Sequence, residues 1–261
     1  MSAIDLNFKK IGQGDPIIIL HGLFGSLDNW QTIANELKNY YCVYLVDLRN
    51  HGRSPHSQEM NYELMAADVI RLMHKEYILS AGLIGHSMGG KVVLQIIQTE
   101  SINIRKSIVV DIAPKAYPKG HEVIFKAMMN LDLTQIVKRS EAEEQISKLI
   151  TEPIIRQFIL KNLDRNTDGS FNWKLNLDAL YVHYPSISSA IVFSKVNLSD
   201  VLFLLGEKSD YVNDIDRIEI KKILPNAHFQ IVKGSGHWVH AEKPMETISA
   251  IRNYFNPGIV K

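Results

Sequence analysis

Hydrophobic and polar positions change period several times along the 261-residue chain, and each change predicts an element. Leu6 and Phe8 alternate with polar residues, the two-residue period of a strand with one dry face, and Gly12-Gln13-Gly14-Asp15-Pro16 is turn chemistry. Ile17 to Leu20 is a short unbroken apolar run, as expected of a strand covered on both faces. Trp30, Ile33, Ala34 and Leu37 then fall at helical spacing, and Tyr41 to Val46 reads as a second buried strand. Leu64, Met65, Asp68, Val69, Leu72 and Met73 trace a helix with a mostly apolar face. Leu83 and Ile84 lead into a glycine-flanked turn, Lys91 to Gln98 continues as a helix, and Ile108 to Val110 is the next strand.

From about Lys115 to Asn197 this alternation lapses. HEVIFKAMMNL, EAEEQISKLI and EPIIRQFILKNL read as short helices, with Thr167-Asp168-Gly169-Ser170 as a turn. Alternation resumes with a strand at Val201 to Leu205, a helix near Arg217 to Leu224, a strand near Phe229 to Val232 and a closing helix from about Pro244. Repeated strand–helix units predict an α/β fold with a mostly parallel twisted sheet and helices on both faces. Residues 1–114 and 197–261 then form the core, and residues 115–196 form a helical cap, an insertion over the carboxyl edge where such sheets place ligands.

Composition narrows the function classes. Hydrophobic residues make up 46% and charged residues 22%, an ordinary globular balance, and a net charge of +1 offers no footprint for nucleic acid. No apolar run reaches the length of a membrane span, and MSAIDLNFKK lacks the apolar core of a signal peptide, so a soluble cytoplasmic protein is expected. Cys42, the one cysteine, sits in YYCVYLVDL and reads as a core filler. Gly12-Gln13-Gly14 lacks the third glycine and the helix of a dinucleotide site, there is no phosphate-binding loop, and no cofactor is expected. Oligomeric state is left open.

The candidate chemistry begins at LIGHSMGGK, residues 83–91. Ser87 follows a buried strand and opens a helix, the setting of a nucleophile elbow, where a strained turn exposes a hydroxyl above the sheet. A serine hydroxyl needs a base. Of ten histidines, His237 in KGSGHWVHAEKP directly follows the last predicted strand, with Gly234 and Gly236 freeing the loop. His240 is the rival base, and the His-x-x-His spacing of the two has no further ligand cluster to make it a metal site. The order serine then histidine is that of α/β-hydrolases. For an oxyanion hole, HGLFGS after the second strand supplies the backbone amide of Leu23, with Phe24 as the neighbouring alternative, to pair with the amide of Met88. His21 and the loop Asp47 to Ser54 read as structural, holding their turns by hydrogen bonds.

HGLFGS, DLRNHGRS, GHSMGG, DIAP and GHWVHAEKP, in this order from Leu20 to Pro244, resemble the α/β-hydrolase superfamily, and more narrowly its bacterial YbfF-like esterases. The resemblance implies a carboxylic-ester hydrolase, active on short- to medium-chain acyl esters or acyl-CoA thioesters. It also implies a helical cap inserted after strand six, with Ser87 as nucleophile and His237 as base. Rival readings are a thioesterase or carbon–carbon hydrolase with the same residues, or a slow-turnover ligand-binding receptor. Within the cap, Phe125, Met128, Met129, Trp173 and Tyr181 are candidates to line an acyl pocket together with Phe24.

The acid that would orient His237 departs from the broad superfamily pattern, which places it after the seventh strand, three residues beyond a glycine. Gly206-Glu207-Lys208-Ser209 puts a serine there, and Asp210 falls one residue late. Asp111 in VVDIAP, at the same carboxyl edge, is the favoured acid, with Ser209 as a supporting hydrogen-bond partner and Asp210 as the alternative. YbfF-like esterases resemble this arrangement.

Overall fold

Strands whose residues are apolar on both faces have to be covered on both faces, and the chain does this with two packed layers of helix. The computed structural model describes residues 2–99 and 103–256. Its main sheet contains β1 (Phe8–Ile11), β2 (Asp15–Leu20), β3 (Tyr41–Val46), β4 (Ser80–His86) and β5 (Asn103–Val110). After a long excursion, β8 (Val201–Gly206) and β9 (Ala227–Val232) complete it. The strand order is β1-β3-β2-β4-β5-β8-β9, parallel throughout except for β1, which lies antiparallel against β3 at one edge. β3 and β8 are buried at every position, whereas edge strand β9 buries only its ends.

Alternate residues serve opposite layers. Ile18, Leu20, Leu83 and Val109 join one core, with helices α2 (Tyr62–Lys75) and α3 (Met88–Ile96). Ile17, Ile19, Ile84 and Ile108 join the other, with α1 (Gln31–Leu37) and the closing helix α11 (Pro244–Phe255). The side-chain period of two thus divides one set of strands between two dry faces. Cys42 is buried in the first of these cores. No described helix is long and apolar enough to cross a membrane.

The excursion between β5 and β8 carries α4 (Glu122–Met129), α5 (Arg139–Ser147) and α6 (Pro153–Leu160). A hairpin of β6 (Leu163–Arg165) and β7 (Phe171–Trp173) follows, then α7 (Leu177–Val182) and α8 (Tyr184–Ser188). Beyond it, α9 (Asp214–Ile223) joins β8 to β9, and the short α10 (Val239–Glu242) precedes α11. The insertion leaves the sheet after β5, the strand that precedes Asp111 and that the superfamily count numbers six. One feature differs from the sequence reading. The hairpin was read as a turn alone, since three-residue strands are too short to establish a period.

The insertion is stapled at its root. The Tyr117 N–H donates to the Ser188 carbonyl at 2.9 Å and the Ile191 N–H to that of Pro114 at 2.7 Å, so the outgoing and returning chains run side by side. From the core, the Tyr62 hydroxyl of α2 donates to the Ile187 carbonyl, and the Lys91 ammonium of α3 donates to that of Ser189. Lys91 is only 2% exposed, with its ammonium 4.9 Å from the Tyr117 ring centroid and 5.7 Å from that of Tyr62. Burial costs the charged form its hydration, and it lowers the Lys91 ammonium from 10.5 to about 8.

Between about pH 8 and 10.5 the unfolded chain holds a proton on this lysine that the folded chain has released, so stability rises with pH across that window. Relative to Lys91→Met, which has nothing to titrate there, the wild type should gain roughly 1 kcal/mol of unfolding free energy per pH unit between pH 8 and 10. Urea titrations of both proteins at several pH values measure the difference. A pH-independent difference would show that the buried ammonium keeps an ordinary affinity for its proton.

Candidate active site

The turn from β4 into α3 is forced by how closely the helix approaches the sheet. A Cβ on Gly85 would stand 2.2 Å from the Gly89 carbonyl oxygen, and one on Gly89 would stand 2.6 Å from backbone oxygens of Leu20 and His21. Only glycine leaves room there, and the chain enters the helix through Ser87 at φ 52°, ψ −117°. A non-glycine residue in this region is strained, and it persists because the Ser87 N–H is tied to the Val110 carbonyl at 3.0 Å and its carbonyl accepts from the Lys91 N–H at 3.1 Å. The result presents the side chain at the carboxyl edge of the sheet, at the N-terminus of α3. The Ser87 hydroxyl makes no hydrogen bond among the described residues, to His237 or to any other group.

Asp111 ends β5, also with a left-handed backbone (φ 54°), and its N–H donates to the Leu204 carbonyl of the neighbouring strand at 3.0 Å. Its carboxylate is saturated. Oδ1 accepts the Gly206 N–H at 2.9 Å, while Oδ2 accepts His237 Nδ1–H at 2.8 Å and the Ser209 hydroxyl. Because Nδ1 donates, the lone pair of the His237 imidazole lies on Nε2, the arrangement a general base needs. Asp210, by contrast, is exposed and makes no contact with His237, since the one-residue offset carries it past the edge where Ser209 turns inward.

His86, directly before Ser87, joins the elbow to the histidine loop. Its Nε2–H donates to the His237 carbonyl at 2.9 Å, and the two rings lie 4.7 Å apart. His240, the rival base, is 5% exposed and stacked on Trp30 at 4.3 Å with planes 7° apart, so it faces the core and not Asp111. His21 is held as a neutral tautomer: Nε2 accepts the Leu48 N–H at 3.0 Å and Nδ1–H donates to the Gly22 carbonyl at 2.8 Å. The Asp47 loop is hydrogen-bonded as expected, its carboxylate accepting the N–H groups of Leu27 and Arg53 and the Asn7 amide.

The glycine loop after β2 arrives beside the elbow. A Cβ on Gly22 would stand 3.3 Å from that of Ser87, and the Gly25 N–H closes a turn onto the Gly22 carbonyl at 2.9 Å with Phe24 at φ 59°. Neither the Leu23 nor the Met88 backbone N–H donates to another described residue. The Phe24 carbonyl accepts from the Asn162 side chain of the insertion at 2.8 Å, and its ring meets that of Phe125 at 4.9 Å. Phe125 in turn contacts Tyr181 and Tyr184.

Phe24, Phe125 and Tyr181 are therefore brought together, and Met128 is fully buried in the same cluster. Trp173, paired with Leu163 on the β6–β7 hairpin, is half-buried against the same core, while Met129 and Tyr181 are 43% and 51% exposed. The sequence reading missed Tyr211, stacked on His237 with ring centroids 3.7 Å apart and planes within 13°. It also missed the contact of Phe158 on α6 with Trp238, the neighbour of His237, at 5.9 Å. Trp238 is adjacent to His237 in sequence and could have been flagged on that ground; nothing local marks Tyr211 or Phe158.

An elbow serine beside an acid-bound imidazole at the carboxyl edge of a parallel sheet defines the serine-hydrolase class of α/β enzymes. A sequence model of the α/β hydrolase fold matches residues 15–244, and the chain belongs to that family. Among its relatives is esterase YbfF of Escherichia coli (strain K12), 38% identical over 92% of this chain and 93% of its own. The sn-1-specific diacylglycerol lipase ABHD11 of Danio rerio is 36% identical over 98% of this chain and 84% of its own. A solved structure of a marine microorganism esterase superposes with a TM-score of 0.94 at 41% identity, over 97% of this chain and 100% of that one. The chain is a serine hydrolase of the carboxylic-ester type.

Four buried histidines near this edge are kept neutral. Burial lowers His21 to about 4 and His51 and His240 to about 3, and it pushes His86 well below the usual value of 6.5. Between 6.5 and about 4 the unfolded chain binds protons the folded chain refuses, so stability is lost as the pH falls through this window. His240→Phe keeps a ring on Trp30 and removes one such site. Between pH 7 and 4.5 the variant should lose about 2 kcal/mol less stability than the wild type, read from urea midpoints at each pH. Equal losses would show that His240 is not buried as the neutral form.

Proposed function

We propose that the protein hydrolyses short- to medium-chain acyl esters through an acyl-enzyme, with Ser87 as nucleophile, His237 as general base and Asp111 as the orienting acid. The observation that carries this reading is the Asp111–His237 hydrogen bond, placed one residue from the elbow through His86. Ser87 Oγ attacks the ester carbonyl carbon as its proton passes to His237 Nε2, and the carbonyl electron pair moves onto oxygen. The unpaired amides of Leu23, in the loop after β2, and of Met88, at the N-terminus of α3, are the donors for that oxyanion. The imidazolium then protonates the leaving alcohol, and the same nitrogen activates the water that releases the acid. Ser209 and the Gly206 amide hold the Asp111 carboxylate in line.

Residues 115–196 act as a cap over this edge, and Phe24, Phe125, Met128 and Tyr181 supply an apolar wall for the acyl chain. The relatives named as diacylglycerol lipases favour a second acyl range, the glycerides, which one substrate panel distinguishes from simple esters.

A fluorophosphonate should label Ser87, located by peptide mass mapping, and Ser87→Ala should lose on the order of 10⁶ in turnover. Label on another residue, or an active Ser87→Ala, would sink the nucleophile assignment. The panel of p-nitrophenyl esters from acetate to laurate, an acyl-CoA and a diacylglycerol is run on both proteins. Turnover highest on butyrate to octanoate supports the proposed range, and a preference for the glyceride replaces it.

The acid is tested separately. Asp111→Asn should cut turnover by about 10⁴ by favouring the wrong imidazole tautomer while leaving the thermal midpoint near that of the wild type. Asp210→Asn should stay within about twofold of the wild type, the ordinary consequence of changing an exposed carboxylate. The reverse pattern would move the acid to the later loop.

A further inference from the structure

We propose that Tyr211 is a positioning residue for the proton transfer: the face of its ring stabilises His237 as it becomes an imidazolium, more than it stabilises the neutral imidazole. The proposal rests on the reading of His237 as the base. The two rings are stacked with centroids 3.7 Å apart and planes 13° from parallel. Among the described residues no other aromatic contact of His237 is a stack: His86 lies at 4.7 Å and 45°, and Trp238 at 6.3 Å and 55°.

The ring is anchored by its backbone and its neighbour. The Tyr211 N–H donates to Ser209 Oγ at 3.3 Å, so the hydroxyl that braces Asp111 also fixes the residue carrying the ring. The Tyr211 carbonyl accepts the Tyr117 hydroxyl at 2.7 Å, and that same hydroxyl accepts the Ala113 N–H at 2.8 Å. The Tyr117 ring packs on the Tyr211 ring at 5.3 Å. The phenolic hydroxyl of Tyr211, by contrast, has no partner among the described residues. Structure is invested in where the ring face lies, and none in the hydroxyl.

What the face does follows from the charge change. Before transfer His237 is neutral, and stacking contributes dispersion. When the Ser87 O–H bond breaks and the proton binds Nε2, the imidazole gains a full positive charge. An aromatic face carries the negative part of the ring quadrupole and attracts a cation held over it. Asp111 acts on that charge in the imidazole plane, through Nδ1; Tyr211 acts from above the plane, a direction the carboxylate does not reach. An interaction that grows only as charge develops lowers the barrier and does not tighten ground-state binding. His86, His121 and His240 are the other ionisable groups around His237, and burial keeps all three disposed to the neutral form, so none adds an opposing cation.

The test separates quadrupole from shape. Phenylalanine and its 4-fluoro, 3,5-difluoro and 3,4,5-trifluoro analogues are incorporated at position 211, and each protein is assayed on p-nitrophenyl butyrate. Tyr211→Phe, which keeps the ring face and removes only the unpartnered hydroxyl, is the reference for the series. Successive fluorination drains the ring face at nearly constant shape, and kcat should fall stepwise, by roughly 3- to 10-fold over the series, at unchanged KM and thermal midpoint. A flat series, or a loss in Tyr211→Phe as large as in Tyr211→Leu, would overturn the proposal. His237→Ala is assayed alongside. If it is inactive while the series is flat, the platform role fails and the base stands; if it remains active, both fall.

Discussion

The candidate site hangs on one carboxylate. Asp111 receives an N–H from Gly206 on the neighbouring strand, a hydroxyl from Ser209 in the loop beyond it, and the Nδ1–H of His237 from the loop after β9. Three segments distant in sequence are thereby fixed to one another through three hydrogen bonds on two oxygens. Parallel pairing of β5 with β8 sets the height of that carboxylate above the sheet, since Val110 pairs with Leu204 and the Asp111 N–H continues the ladder onto the same residue. A shift of register would move the acid by one residue and point it to the wrong layer.

Around this point the protein keeps polar groups dry. His21, His51, His86 and His240 are all buried, and each charged form would be desolvated without a counter-charge at hand. Three of them serve instead as neutral groups that hold backbone: His21 bridges the glycine loop to Leu48, His51 donates to the Arg49 carbonyl, and His86 bridges the elbow to the His237 carbonyl, while His240 stacks on Trp30. Buried charge is allowed where it is paired, as in the two-point contact of Arg49 with Asp68, or where aromatic faces surround it, as for Lys91.

Much of this was legible in the sequence, and for local reasons. Ser87 was readable because glycines four apart and an apolar strand leave few other uses for such a run. The contact of Asp111 with His237 was legible because Ser209 occupies the place where the superfamily pattern puts a carboxylate, which turned attention to the other carboxylate on the same edge. The two-layer core followed from unbroken apolar strands. What the sequence concealed is contact between remote segments. The Tyr211–His237 stack, the Trp30–His240 stack and the meeting of Phe158 with Trp238 depend on how loops converge in space, and no periodicity encodes that. The β6–β7 hairpin escaped for another reason, its strands being shorter than any period that could reveal them.

Placing the acid at the end of β5 has a consequence for the loop after β8. A loop that supplies a triad carboxylate has to aim it, and its backbone is committed to that one task. Here the loop from Glu207 to Val212 is released from it: Val212 packs into the core, while Ser209 and Tyr211 turn a hydroxyl and an aromatic ring toward Asp111 and His237. Labour is divided by direction: the strand end meets the imidazole edge-on with charge, while the loop meets it face-on with polarisable surface. The strand also carries the root of the insertion, because Pro114 lies three residues past the acid and is tied to Ile191. The anchor of the cap and the anchor of the base are therefore a single stretch of chain, so anything that pulls on one is felt by the other, and the loop after β8 is tied to that same stretch through Ser209 and through the Tyr117 hydroxyl.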